Sequence, residues 1–108
     1  MQRKMVEKDV ESYLVRKCKE AGIQCYKFTS PSNAGVPDRI LIGYDRVIFV
    51  ELKRPGGKPR ELQLRTFRRM RQGGADVRVI DTRELCLDLI KEMMNYEDAA
   101  VGVGWDMQ

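Results

Sequence analysis

Apolar residues Val6, Val10, Leu14, Cys18 and Ala21 recur at near-helical spacing. Glu7 to about Ala21 therefore predicts an amphipathic helix that Gly22 ends. Ile23 to Phe28 is short and rich in β-formers, whereas Thr29 to Pro37 collects Ser, Pro, Asn and Gly and predicts a loop. Asp38 to Ile42 and Val47 to Leu52 are apolar runs divided by Gly43, Tyr44, Asp45 and Arg46, a length suited to a hairpin. Val47 to Val50 is apolar at every position, the pattern of a central strand covered on both faces. Gly56 and Gly57 break the chain, and Pro59 suits the first turn of a helix reaching about Gln72, where Gly73 and Gly74 stop it. Val77 to Ile80 predicts a fourth strand. Asp81 or Thr82 then caps a last helix to about Tyr96, with Leu85, Leu89 and Met93 on its inner stripe. The order α, β, β, β, α, β, α makes an α/β fold. Its strand, helix, strand passage from Val47 to Ile80 is expected to cross right-handedly, leaving strand four parallel to strand three.

The chain has 108 residues, 43% hydrophobic and 33% charged, enough for one core and one domain over residues 1–108. The segment from Asp98 to Gln108 is interrupted by glycine, and its Val101, Val103 and Trp105 are candidates for an anchor or an interface. No apolar run approaches a membrane span and no signal-peptide pattern opens the chain, so a soluble intracellular protein, cytoplasmic or nuclear, is expected. Cys18, Cys25 and Cys86 are odd in number and lack metal-type spacing, which points to reduced thiols in the core. The absence of histidine removes imidazole bases, His-based triads and His-ligated zinc. Chemistry here must use carboxylates, lysine or a hard metal.

The formal charge is +4, and its distribution says more than its size. Between Lys53 and Arg71, Lys53, Arg54, Lys58, Arg60, Arg65, Arg68, Arg69 and Arg71 are opposed only by Glu61. From Asp81 onward, Asp81, Glu84, Asp88, Glu92, Glu97, Asp98 and Asp106 outnumber Arg83 and Lys91. One surface is expected to attract phosphate and another to repel it, and the arginine excess suits phosphate because the guanidinium fork matches its oxygens. The same pattern also describes a solvated helix with surplus arginine.

Asp38 begins the second strand, while Glu51 and Lys53 end the third. If Tyr44 and Asp45 make the turn, Asp38 faces Glu51 across the ladder; if Gly43 and Tyr44 do, the two are diagonal neighbours; a three-residue loop would separate them. Glu51 and Lys53 share a face in every case. Two close carboxylates beside an apolar strand repel each other unless a cation neutralises them. Lys53 supplies one charge. Paired carboxylates with a backbone carbonyl such as that of Leu52, and water, also form the oxygen shell that Mg²⁺ accepts. A salt-bridged hairpin end is the competing explanation.

Gly35, Val36, Pro37 and Asp38, followed by Glu51, Leu52 and Lys53, resemble the PD-(D/E)XK nuclease superfamily, and more narrowly its virus-type replication-repair nuclease group, the VRR-NUC domain. The resemblance covers about Glu7 to Ile80 and includes Lys27 to Pro31, the loop Pro55 to Lys58, and Gln63. It implies a restriction-endonuclease-like α-β-β-β-α-β core, a mixed sheet flanked by helices, with the C-terminal helix added. It also implies Asp38 and Glu51 as ligands of Mg²⁺ or Mn²⁺ together with the Leu52 carbonyl, Lys53 as the catalytic lysine, and Glu7 and Gln63 as accessory site residues. Glu7 would be a second-metal or water-mediated ligand. Without the resemblance, Glu7 reads as a surface acid favouring the helix dipole and Gln63 as an exposed helix residue.

A metal-dependent DNA nuclease is therefore expected, with Lys27, Ser30, Arg54, Lys58, Arg60, Arg65, Arg68 and Arg69 as candidates for gripping the nucleic acid. The stand-alone form resembles Holliday-junction resolvases in size and core, which implies structure-selective cutting of branched DNA such as four-way junctions by a homodimer. The alternatives are a catalytically silent basic DNA-binding module, or a restriction-type or RNA-directed nuclease of the same fold.

Overall fold

A computed structural model describes residues 6–95 of the chain. The elements are α1 (Glu7–Ala21), β1 (Gln24–Lys27), β2 (Arg39–Gly43), β3 (Arg46–Leu52), α2 (Glu61–Gln72), β4 (Asp76–Ile80) and α3 (Arg83–Met94). The strands form one mixed sheet in the order β1-β2-β3-β4. β1/β2 and β2/β3 pair antiparallel, and β3/β4 pair parallel around the α2 crossover. The segment 98–108, with Val101, Val103 and Trp105, and the last-helix boundary at Tyr96 lie outside the described residues.

Helix ends follow local chemistry. Gly22 takes φ 75° and donates its N–H to the Lys19 carbonyl, closing α1 with left-handed geometry that glycine adopts freely. Thr82, rather than Asp81, caps α3 by accepting the Leu85 N–H at 3.1 Å. Asp81 instead accepts the Gly56 N–H at 3.0 Å and so pins the loop that follows β3. Pro59 does not enter α2. Arg60 is the N-cap, and its N–H is taken by the Gln63 side chain at 2.9 Å.

The main core lies between α1, α3 and one sheet face. Val10, Leu14 and Cys18 meet Leu41, Ile48, Val50, Leu52 and Ile80, with Cys86, Leu89, Ile90 and Met93 completing the layer. The buried stripe of α3 departs from the expected one at its first position, where Cys86 takes the place of Leu85, and it adds Ile90. Leu85 is exposed because the helix rotates Cys86 inward, and only Leu89 and Met93 of the expected trio are buried. Val6 is likewise exposed, standing as the N-cap of α1 rather than in its stripe.

Among the described residues, α2 is the helix on the opposite sheet face, packing there through Gln63, Thr66 and Phe67. Among the described residues, coverage of β3 on that face is incomplete: Val47 is 52% exposed and Phe49 half-buried, while Glu51 at the other end lies under α2. Among the described residues, no helix is long and apolar enough to cross a membrane.

Candidate active site

The hairpin turn decides what meets at the far end of the sheet. Tyr44 and Asp45 are its two central residues, with φ 52° and 64°, the left-handed pair of a type I′ turn. Neither is the glycine such a turn favours. The Tyr44 hydroxyl offsets some of that strain by donating to the Ala21 carbonyl at 2.6 Å. The resulting register pairs Arg39 with Val50 and Gly43 with Arg46. Continued by one residue, it sets Asp38 opposite Glu51, on the face that carries α2. The pair lies at the C-terminal end of β3 beside the parallel partner β4, the end where open α/β sheets bind ligands.

Asp38 is held by the backbone. Its Oδ2 accepts the Leu52 N–H at 2.9 Å, and its own carbonyl accepts the Phe28 N–H at 2.8 Å. Beside it, Arg39 points to the other face and pairs with Glu11 of α1 at 2.9 Å, fastening β2 to that helix.

Glu51 is 1% exposed. Two donors converge on its Oε2: the Gln63 amide at 2.8 Å and the Lys53 ammonium at 3.2 Å. Its Oε1 is buried and, among the described residues, has no hydrogen-bond partner. Burial first, and then the charge of Asp38, push the Glu51 carboxyl up to about 6, with Lys53 and Gln63 opposing them. An orphaned buried carboxylate oxygen facing a second carboxylate is unfavourable by itself. A hard divalent cation fits that oxygen, because Mg²⁺ takes one or two carboxylates and completes its shell with water. The donor chemistry of Asp38, Glu51 and the Leu52 carbonyl suits such an ion.

Gln63 is thus buried in the site rather than exposed on its helix, its oxygen on the Arg60 N–H and its amide on Glu51. Glu7 is not brought in. It is exposed in the first turn of α1, and among the described residues no three acidic or thiol side chains converge as a metal cluster. Glu7 shares the inward face of α1 with Val10, Glu11 and Leu14, and it is exposed because it stands in the first turn.

The basic candidates divide by position. Arg54, Lys58 and Arg60 are exposed in the connection from β3 to α2, next in sequence to Lys53, and Arg65, Arg68 and Arg69 are exposed along α2. Arg71 instead donates to the Val77 carbonyl at 2.7 Å and covers the open edge of β4. Lys27 is exposed, but strand alternation turns it to the α1 side, away from Asp38. Ser30 is half-buried, and its carbonyl accepts the Asn33 N–H at 3.1 Å in the turn of the 29–37 loop.

The sequence pattern did not single out Thr66. A Cβ on Gly35 would stand 2.5 Å from the Thr66 hydroxyl and 3.0 Å from the Leu62 carbonyl, so the loop that delivers Asp38 lies directly against α2. The glycine just before Val36, Pro37 and Asp38 is the sequence feature that permits this close approach.

No protein-family profile matches the chain. A curated protein of the Acyrthosiphon pisum secondary endosymbiont phage 1, named "Putative nuclease p44", is 41% identical over 80 residues, which span 73% of this chain and 86% of that protein. A solved structure described as "VRR_NUC domain" superposes with a TM-score of 0.72 at 29% identity, covering 79% of this chain and 94% of the other.

Proposed function

We propose, for a chain that belongs to the VRR-NUC nuclease family, that this protein is a divalent-metal-dependent DNA endonuclease acting at branched structures such as four-way junctions. The observation that carries the metal dependence is Glu51: both neighbouring donors occupy Oε2, while Oε1 stays buried and unpartnered opposite Asp38.

Asp38, Glu51 and the Leu52 carbonyl would hold Mg²⁺ or Mn²⁺. When bound, the ion supplies a more acidic water and neutralises charge on the phosphodiester. Gln63 acts through Glu51 as a positioning residue, keeping Oε2 engaged so that Oε1 faces the site. Lys53, anchored on the same oxygen, presents an ammonium that orients the attacking water and stabilises the charge gathering on the phosphoryl oxygens in the transition state. Arg54, Lys58, Arg60, Arg65, Arg68 and Arg69 grip the DNA backbone, giving affinity with little base readout. Lys27 and Ser30 would lie at the margin of that surface, and Glu7 would act at most through water. Two copies related by a two-fold axis would place a second site for the opposed strand of a junction.

The test is cleavage of four-way junction, flap, linear duplex and RNA in parallel, with Mg²⁺, Mn²⁺ or EDTA, alongside light scattering at micromolar concentration. Expected are a dimer, faster cutting of the junction than of duplex, and no cutting in EDTA or by Asp38→Ala. Cleavage that persists in EDTA would overturn the metal dependence. DNA binding without any cleavage would identify a silent binding module, and a monomer cutting linear duplex or RNA as fast as a junction would remove the junction preference.

A further inference from the structure

The sheet face that carries Asp38 and Glu51 also carries an open cleft that the hydrolytic chemistry does not use. It encloses about 350 Å³ and is lined by Phe28, Asn33, Val36, Thr66, Arg69 and Met70. That volume is near the lower end of the roughly 300–1,000 Å³ typical of small-molecule pockets, a size for one planar ring system rather than a longer ligand.

Backbone connections place the cleft beside the carboxylates. Phe28 is the cross-strand neighbour of Asp38, joined to it through the 2.8 Å bond from the Phe28 N–H to the Asp38 carbonyl. On the other wall, Gln63 touches Glu51, and Thr66 and Met70 follow one and two turns further along the same helix. At about 5.4 Å per turn, the cleft begins roughly 5–10 Å from the Glu51–Gln63 contact. A DNA strand whose phosphodiester sits at Asp38 and Glu51 can therefore reach it with a neighbouring nucleotide.

The lining chemistry specifies what fits. Phe28 packs against Phe49 with ring centroids 5.6 Å apart, tilted by 54°, so its ring is held in place as a stacking surface. Met70 supplies a polarizable, adaptable wall. The Asn33 Oδ1 accepts from the Gly35 N–H at 3.0 Å and from the Thr66 hydroxyl at 3.5 Å, which fixes the amide and turns its Nδ2 donors away from those partners. Arg69 is exposed and brings a cation to the cleft. An aromatic platform, an oriented amide donor and a cation suit a nucleobase carrying its phosphate.

From this arrangement we propose that the cleft receives one unstacked nucleobase of the DNA strand adjoining the cleaved phosphodiester. The assignment rests on the nuclease reading and extends it. Base pairs in continuous duplex are stacked and cannot enter, so a branch point or single-stranded stretch serves as substrate because it supplies the free base.

The experiment measures binding in EDTA, where no cutting is expected, by anisotropy of labelled single-stranded and junction DNA carrying one abasic site at successive positions. One or two positions are expected to lose about tenfold in affinity, the scale of one base stacked on an aromatic ring. Phe28→Leu keeps the apolar volume and removes the ring; it should lose about as much on intact DNA and show no further loss at the sensitive position. Asn33→Asp, which is isosteric and retains the oxygen facing Gly35, should suppress the same position, with thermal melts confirming that both variants fold. A flat abasic profile, or variants that keep the wild-type profile, overturns the proposal. A profile that appears only with RNA overturns the assignment to DNA. These readouts need no catalysis, so a flat profile in a protein that still cleaves with Mg²⁺ removes the cleft alone, whereas a positional profile without cleavage under any metal removes the hydrolytic reading.

Discussion

Glu51 is held in a position that costs the fold. Its carboxyl is pushed up to about 6 from an ordinary value near 4.5, so folding raises its affinity for a proton while leaving it ionised at neutral pH. The stability this contributes is fully present below about pH 4.5 and is lost as pH rises through 6. Glu51→Gln removes the charge and keeps the shape. In EDTA, denaturant melts should show the variant more stable than the wild type by about 1–2 kcal/mol at pH 8, with the difference closing by pH 4. Equal stabilities at both pH values would contradict the cost assigned to burial. Lys53 is expected to behave differently, since in the proposed reaction its ammonium acts mainly on the transition state: Lys53→Ala should lose at least about 100-fold in single-turnover cleavage while retaining metal and DNA binding. Asp38→Ala and Glu51→Ala should weaken metal binding as well, and calorimetric titration beside the cleavage assay separates the two behaviours.

Among the elements, the 29–37 loop and α2 act as a joined pair. Gly35 lets the loop lie directly on Thr66 and the Leu62 carbonyl, and the same helix holds Gln63 against Glu51. Gly35→Ala forces a Cβ to 2.5 Å from the Thr66 hydroxyl and must move either the loop or the helix. The expected cost is about 1–3 kcal/mol in stability, the usual range for overpacking. Cleavage should fall by more than that stability loss explains, because displacement reaches both Asp38 and Gln63. A variant that melts lower but cleaves normally at a temperature where it is folded would show that the loop does not position the site. At the opposite end of the sheet, Arg46, Asp76, Arg78 and Glu92 form a network of ion pairs at 2.6–3.4 Å, joining β3, β4 and α3 well away from the carboxylate pair.

For the molecule as a whole, charge is divided between helices that the sheet separates. The exposed arginines Arg65, Arg68 and Arg69 belong to α2, on the face of the carboxylate pair, whereas Glu84 and Asp88 belong to α3 on the other side. Phosphate backbones should therefore be drawn to the α2 side, which carries Asp38 and Glu51. Replacing Arg65 or Arg68 by Ala should weaken binding alike on unrelated sequences and lower the salt slope of log K by about one for each phosphate that is no longer neutralised. A loss confined to one sequence would indicate base readout instead. The two substitutions are one turn apart on α2, so their double variant also tests whether the effects add.

Much of the fold was legible in the chain because it rests on local patterns. α1, with its glycine stop, ends where the 3.6-residue period and Gly22 put it, and the mixed sheet follows from a short hairpin joined to a helical crossover. The motif carrying Asp38, Glu51 and Lys53 was legible too, since residue type and order survive without geometry. Tertiary packing decided the rest. The turn at Tyr44 and Asp45 breaks the usual glycine preference, so the register that sets Asp38 opposite Glu51 came from the assembled hairpin and the Tyr44 anchor on Ala21. The choice of Cys86 over Leu85 at the start of the α3 stripe was set by packing against α1 and the sheet, while Leu89 and Met93 are buried as the period predicts. Gln63 became a buried partner of Glu51, and Glu7 stayed on the surface, for the same reason: a helix period specifies which residues share a face, but only the neighbouring elements determine what that face meets.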